Sequence, residues 1–143
     1  MRDLEIAKQH LYADDLTLAI VKDGKMLFQT DAHRISGFLR AIDQFGTQLK
    51  GASVADRVAG KALALLCVYA GVSGVYAEVL SRQAQAVFER YRVGFEWKEQ
   101  VDKVLDQSRS GMCPFEKVAE DISNPEGGYV AFKGLLEKMR TCR

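Results

Sequence analysis

The amino-acid sequence predicts an α/β fold whose sheet is at least partly parallel. Residues 75–80 and 93–97 have the composition of short strands, and residues 83–91 between them have the spacing of an amphipathic helix. A helix between two strands is typical of a βαβ unit, in which the strands run parallel. Helical and strand-like segments alternate elsewhere without a clear linker, which favours one domain over residues 1–143.

The N-terminal third predicts a helix, a β-hairpin and a second helix. Apolar residues recur at helical spacing within residues 4–12. Residues 16–21 and 26–30 are rich in apolar and β-branched side chains, and the Asp-Gly pair at 23–24 is a strong hairpin signal. Helical spacing returns over residues 35–49.

The longest regular pattern covers residues 53–70 and predicts one buried helix. Its second half, from residue 63, is apolar on all sides, which is typical of a helix at the centre of a fold. Ser53 suits the N-cap, with Asp56 at the third helical position in a variant of the capping box. Gly71 suits the C-terminal cap.

Gly60 and Lys61 are residues that a buried helix does not by itself explain. A glycine in mid-helix costs about 1 kcal/mol relative to alanine and often marks the close approach of a backbone or a ligand. The Lys61 ammonium, just before an apolar run, must reach solvent or a partner. On this helix Ser53, Asp56 and Gly60 would share one face. Two interpretations stay open: helix capping alone, or a ligand site formed by these residues.

A second informative segment lies at residues 110–116 and contains Gly111, Cys113, Pro114 and Glu116. Cys113 would be an N-cap, Pro114 suits the first helical position, and Glu116 stands at the capping-box position. The positive end of a helix dipole favours a thiolate at such a place. Cys113 is therefore either a reactive thiol or simply the residue that begins a helix.

The C-terminal part predicts two helices, over residues 114–122 and 128–139, separated by an Asn-Pro-Glu-Gly sequence. Residues 98–110 fit either a helix or a further strand.

Composition excludes several classes of function. Twenty basic and nineteen acidic residues give a net charge of +1, which offers no electrostatic basis for binding nucleic acid or an anionic membrane. No apolar run reaches the ~18 residues that span a bilayer, and the N-terminus does not have the pattern of a signal peptide. Three widely spaced cysteines predict free thiols and a cytoplasmic location.

Three segments carry a resemblance to a known family: residues 51–56 (GASVAD), 58–62 (VAGKA) and 111–114 (GMCP). With the order of the predicted elements, they resemble a small prokaryotic family of uncharacterised proteins, a domain of unknown function with a cytidine deaminase-like fold. The resemblance implies a three-layer α/β/α sandwich with a mixed sheet. It implies no established activity.

The wider superfamily contains zinc deaminases, which need a His or Cys with a nearby Glu on the buried helix and a Pro-Cys-x-x-Cys motif at the next helix. In this comparison residues 54–56 (VAD) and 81–85 (SRQAQ) stand at those places, and neither segment contains His or Cys. Zinc needs three protein ligands. No metal and no cofactor are therefore expected.

Two functions follow as hypotheses. The first is a domain that binds a small molecule, nucleotide-like by analogy of fold alone, in a pocket framed by Ser53, Asp56, Lys61 and residues 109–116. The second is a thiol enzyme or redox sensor with Cys113 as nucleophile, Asp56 or Glu116 orienting its partner, and Lys61 stabilising the thiolate.

The expected partner is thus a small molecule, with neither nucleic acid nor membrane, and a homo-oligomer is possible. Both hypotheses place Cys113 close to Ser53 or Asp56 and partly exposed in one concave site.

Overall fold

The structure is a computed structural model that describes residues 2–32, 34–104 and 113–141. Its centre is a five-stranded mixed sheet with the strand order β2-β1-β3-β4-β5. The strands are β1 (Leu18–Lys22), β2 (Lys25–Thr30), β3 (Ser53–Ala59), β4 (Gly74–Ser81) and β5 (Gly94–Val101). β1 is antiparallel to both β2 and β3, whereas β3, β4 and β5 run parallel.

Helices cover both faces of the sheet. They are α1 (Asp3–Ala13), α2 (Arg34–Phe45) with a 3-10 turn at Gly46–Leu49, α3 (Lys61–Ala70), α4 (Arg82–Arg90), α5 (Pro114–Ala119) and α6 (Pro125–Thr141). The smaller core lies between α1 and one face, where Ala7 and Leu11 pack on Ala55 and Tyr76. The larger core lies on the opposite face beneath the other helices. The predicted three-layer α/β/α arrangement with a mixed sheet is confirmed.

The N-terminal elements lie where the sequence predicts them. The hairpin turn places both Asp23 and Gly24 at positive φ, 52° and 77°, the conformation that an Asp-Gly pair supports between twisted strands. The Asp3 carboxylate accepts hydrogen bonds from both turn amides at 2.9 Å. The hairpin is therefore tied to the first turn of α1.

The prediction of one helix over residues 53–70 is wrong in its first half. Ser53–Ala59 is the central strand β3, and the helix α3 begins only at Lys61. Ser53 is therefore not an N-cap, Asp56 is not at a third helical position, and Gly60 is not in mid-helix. A central strand is buried on both faces, so its apolar residues need not alternate and its pattern imitates that of a buried helix.

The second half of that prediction holds. Six consecutive residues of α3, from Ala62 to Cys67, are buried, as expected for a central helix. Gly71 ends the helix in the left-handed conformation, with φ 78°. The βαβ unit is also confirmed, although β5 extends four residues beyond the predicted strand, to Val101. No helix of the described residues is long and apolar enough to cross a membrane.

Candidate functional site

The parallel strands β3, β4 and β5 bring their carboxyl ends to one edge of the sheet, where ligands commonly bind in open α/β folds. α3 begins at this edge one residue beyond Ala59, after Gly60, and α4 begins directly after Ser81. Ser53 is the first residue of β3 and lies at the amino-terminal end of the parallel strands, where it pairs with Gly74. Seven residue steps along a strand separate it from Gly60 by roughly 20 Å. The structure therefore does not bring Ser53 together with Lys61.

Glu116 connects the two segments that the sequence analysis singled out. Its carboxylate accepts hydrogen bonds from the backbone amides of Lys61 and Ala62, each at 3.0 Å, and the side chain is almost fully buried. These amides belong to the first turn of α3, where backbone donors lack partners within the helix. A carboxylate at this end also interacts favourably with the helix dipole. Glu116 of α5 thus caps α3.

Gly60 is the residue that admits this carboxylate. Its backbone is extended, with φ −101° and ψ −176°, which any residue adopts, so conformation does not require glycine here. A Cβ at this position would overlap Glu116 Oε1, and would lie 2.5 Å from Glu116 Cδ and 2.9 Å from Val104 Cγ2. A group does approach Gly60 closely, but it is a side chain of the same protein and neither the backbone nor the ligand that the sequence predicts.

Lys61 faces a groove on the helical layer. The groove has a volume of about 380 Å³ and lies between α3, α4 and the connection from α5 to α6. Lys61 Nζ donates to the carbonyl oxygen of Glu120 at 3.4 Å. Of the six predicted site residues that the structure describes, Lys61 alone lines this groove. The other lining residues are Leu65, Gln83, Ala86, Val87, Arg90, Tyr91, Glu120, Asp121, Ile122 and Ser123.

Asp56 lies inside the sheet. It is fully buried in β3, and its Oδ1 accepts a hydrogen bond from the Val58 amide at 3.1 Å. Burial, and to a smaller extent the nearby charge of Asp56, raises the pKa of the Cys67 thiol well above its ordinary value. Cys67 is thus an inert core residue, as its apolar sequence context predicts.

Cys113 stands at the N-cap of α5 with Pro114 next, as predicted. Its side chain makes no capping hydrogen bond, and Glu116 does not complete a capping box because its carboxylate serves α3. Cys113 is only 5% exposed, whereas partial exposure was expected. Gly111 and the start of the predicted 109–116 loop lie outside the described residues.

Burial of Cys67 and Cys113 predicts slow chemistry at these two thiols in the folded protein. In a Cys142→Ser variant, we expect Ellman's reagent to label Cys113 and Cys67 only as the structure opens, because the reagent must reach the sulfur. The measurement is the labelling rate with and without denaturant. Labelling of Cys113 at the rate of an unfolded peptide would contradict its burial and favour the thiol hypothesis.

The donor atoms at the strand ends do not fit zinc. α3 begins with Gly60, Lys61 and Ala62, and α4 follows Ser81, whose hydroxyl accepts from the Ala84 amide. Neither helix start carries His or Cys, and the nearby Glu116 carboxylate is engaged by backbone amides. No group of three or more His, Cys, Asp or Glu side chains among the described residues could hold a metal ion.

Most of the groove was missed by the sequence analysis. Gln83 and Arg90 come from α4, which appeared only as an amphipathic helix, and residues 120–123 appeared only as a helix end. One signal was available, because Gln83 and Arg90 lie seven residues apart and therefore on one helical face. Nothing in the sequence showed that this face would meet Lys61.

Comparison with known proteins identifies a family whose function is unknown. A family model described as "Domain of unknown function (DUF1893)" matches residues 6–136. No curated protein matches.

Solved structures include a member of the same family and, with lower similarity, two forms of RibD. A DUF1893 family protein from Thermotoga maritima (TM1506) superposes with a TM-score of 0.83 at 26% identity, over 95% of this chain and 89% of that one. Two forms of Acinetobacter baumannii RibD match at 20% identity, with TM-scores of 0.44 and 0.45. These matches cover 67% and 91% of this chain but only 33% and 38% of the RibD chains.

Proposed function

We propose that this chain, which belongs to the family of domains of unknown function DUF1893, is a small-molecule-binding domain whose site is the groove beside Lys61. The observation that carries the proposal is the position of this groove, which has a volume of about 380 Å³ and lies beside Lys61 at the starts of α3 and α4. Ligand pockets commonly range from about 300 to 1,000 Å³ and combine apolar walls with a few polar groups.

The shape of the groove selects an elongated ligand. Lys61 and Gln83 lie in the first turns of α3 and α4, whereas Arg90 and Tyr91 lie at the end of α4. Seven residues of helix between Gln83 and Arg90 correspond to about 10 Å. A ligand that fills the groove therefore meets one cationic side chain near each end.

The lining, which carries Glu120 and Asp121 as well as the cations Lys61 and Arg90, supports a ligand with an apolar or aromatic body and one anionic group placed at a cation. Leu65, Ala86 and Val87 supply apolar surface along the groove. Arg90 lies over the Tyr91 ring, with its guanidinium carbon 5.4 Å from the ring centre, an arrangement that leaves a flat surface beside a cation. Within the described residues the Lys61 ammonium makes only a long hydrogen bond, at 3.4 Å to a carbonyl oxygen. A nucleoside monophosphate has the required chemistry.

Binding should be tested with AMP, titrated into isotope-labelled protein and followed by backbone amide shifts. We expect saturable shifts at residues 61–65, 83–91 and 120–123. Adenosine and inorganic phosphate, titrated separately, distinguish recognition of the body from recognition of the charge. Absence of saturable shifts with AMP, or shifts confined to another surface, would contradict the proposal.

Two variants that each remove one positive charge test where the phosphate group of AMP binds. Lys61→Met should weaken AMP binding by about tenfold, the loss expected for one charge-assisted hydrogen bond. Lys25→Met removes the same charge from an exposed position in the hairpin and should leave affinity unchanged. Equal affinity of the two variants would exclude Lys61 from the site.

A further inference from the structure

β5 is the last strand of the sheet and pairs with β4 along one side. No strand among residues 2–32, 34–104 and 113–141 pairs with its other side. An unpaired edge offers a row of backbone donors and acceptors to a further strand. With eight residues, β5 is longer than the average strand of five to six.

The face of β5 that packs toward α4 carries an aromatic row. Phe95 stacks on Phe88 of α4 with ring centres 5.8 Å apart, and Trp97 stacks on Phe95 at 5.7 Å. Trp97 at the end of the row is 43% exposed. A large, partly exposed aromatic side chain at a sheet edge is typical of protein interfaces.

The opposite face of β5 carries charges of opposite sign, two residues apart. Glu96 is partly exposed and accepts from Arg2 at 3.0 Å. Lys98 is exposed. Lysine on an edge strand normally discourages pairing. Glu96 and Lys98 stand on either side of Trp97. A strand that places a carboxylate opposite Lys98 and an ammonium opposite Glu96 can therefore pair with β5 without charge repulsion.

We propose that a second copy of this chain docks on this edge, with the two β5 strands antiparallel and Trp97 opposite the partner's Trp97. In this register Glu96 lies opposite the partner's Lys98, and Lys98 lies opposite the partner's Glu96. The two ion pairs and the tryptophan pair follow from one two-fold axis, since a two-fold contact repeats every interaction. The five-stranded sheet becomes a continuous sheet across the two subunits.

Neighbouring registers are excluded by side-chain direction and by charge. A shift that pairs an odd-numbered residue with an even-numbered one would set the aromatic face of one strand beside the charged face of the other. Centring the two-fold axis on Lys98 would place two lysines opposite each other, and centring it on Glu96 would do the same with two glutamates. Like charges directly opposite are destabilising. Trp97 is thus the centre that avoids like charges on the face of Glu96 and Lys98.

The contact is small. Two paired strands and their flanking side chains fall at or below the low end of specific interfaces, about 1,200 Å² in total. The dimer should therefore dissociate on dilution. It does not involve the groove beside Lys61, so the oligomeric state and ligand binding are tested independently.

Sedimentation velocity over a wide range of concentration should show a monomer–dimer equilibrium for the native chain. Lys98→Glu and Glu96→Lys should each raise the dissociation constant about tenfold or more, because like charges replace ion pairs. The double variant Glu96→Lys/Lys98→Glu should restore dimerisation, since it exchanges the signs and keeps the pairs. Lys25→Glu, the same change on the edge strand β2, should have no effect.

Circular dichroism of each variant shows whether the monomer remains folded. A native chain that stays monomeric at every concentration overturns the proposal. So does a dimer that Lys98→Glu leaves unchanged. A folded double variant that remains monomeric while each single variant is folded overturns the proposed register, and with it the docking of β5 on β5.

Discussion

Replacing Gly60 with alanine should lower the free energy of unfolding by about 3 kcal/mol, the upper part of the range for overpacking a buried position. The extended backbone accepts alanine, so the cost comes from the new Cβ. It would overlap the Glu116 carboxylate and lie 2.9 Å from Val104 Cγ2. Glu116 would have to leave the amides of Lys61 and Ala62, and the start of α3 would lose its cap.

Urea unfolding of four proteins measures this effect: the native chain, Gly60→Ala, Glu116→Ala and the double variant. Glu116→Ala alone should cost about 2 kcal/mol through the two lost charge-assisted hydrogen bonds. The double variant should be more stable than the sum of the single effects predicts, because removal of the carboxylate makes room for the Cβ. Strict additivity would show that Gly60 and Glu116 do not meet.

Gly134→Ala is the matched control. Gly134 lies within α6, and a Cβ there would meet nothing within 4 Å. Alanine should therefore stabilise the helix by up to about 1 kcal/mol, its ordinary advantage over glycine. A lower free energy of unfolding for Gly60→Ala and a higher one for Gly134→Ala would show that packing, and not helix propensity, causes the loss of stability at position 60.

The second large effect is expected at Arg57. From β3, its guanidinium donates to the carbonyl oxygens of Leu16 at 2.8 Å and Leu11 at 3.0 Å, and it lies 4.8 Å from the centre of the Tyr12 ring. It also pairs with Glu78 at 3.3 Å. These contacts attach the end of α1 to the sheet. Arg57→Met keeps the aliphatic stem and should cost about 2 kcal/mol.

Arg82→Met provides the comparison for Arg57→Met. Arg82 also forms an ion pair, at 2.7 Å with Asp102, but both side chains are largely exposed, 68% and 84%. Exposed pairs contribute little, so the change should stay within about 0.5 kcal/mol. Hydrogen exchange should locate the Arg57→Met effect in α1. Equal costs for the two arginines would show that the contacts of Arg57 do not anchor α1.

Local sequence patterns determined most of the element order. The Asp-Gly turn at 23–24, the apolar run of α3 and the glycine that ends it at Gly71 predicted their elements correctly. Each depends on a few neighbouring residues and on conformational preferences that hold in any fold. Residues 53–59 were misassigned because a strand buried on both faces has no period that local sequence reveals.

The site depended on residues distant in sequence. Gly60, Lys61 and Glu116 were each identified as unusual, but their sequence did not show that Glu116 would cap α3 rather than its own helix. That choice was made by packing, because α5 places the carboxylate against amides 54 and 55 residues away. The same packing buries Cys113 and forms the groove at Lys61. Sequence alone identified residues with local conformational or chemical peculiarities, and only the tertiary structure decided which of them meet, since contacts between distant segments depend on the whole sheet and its helices.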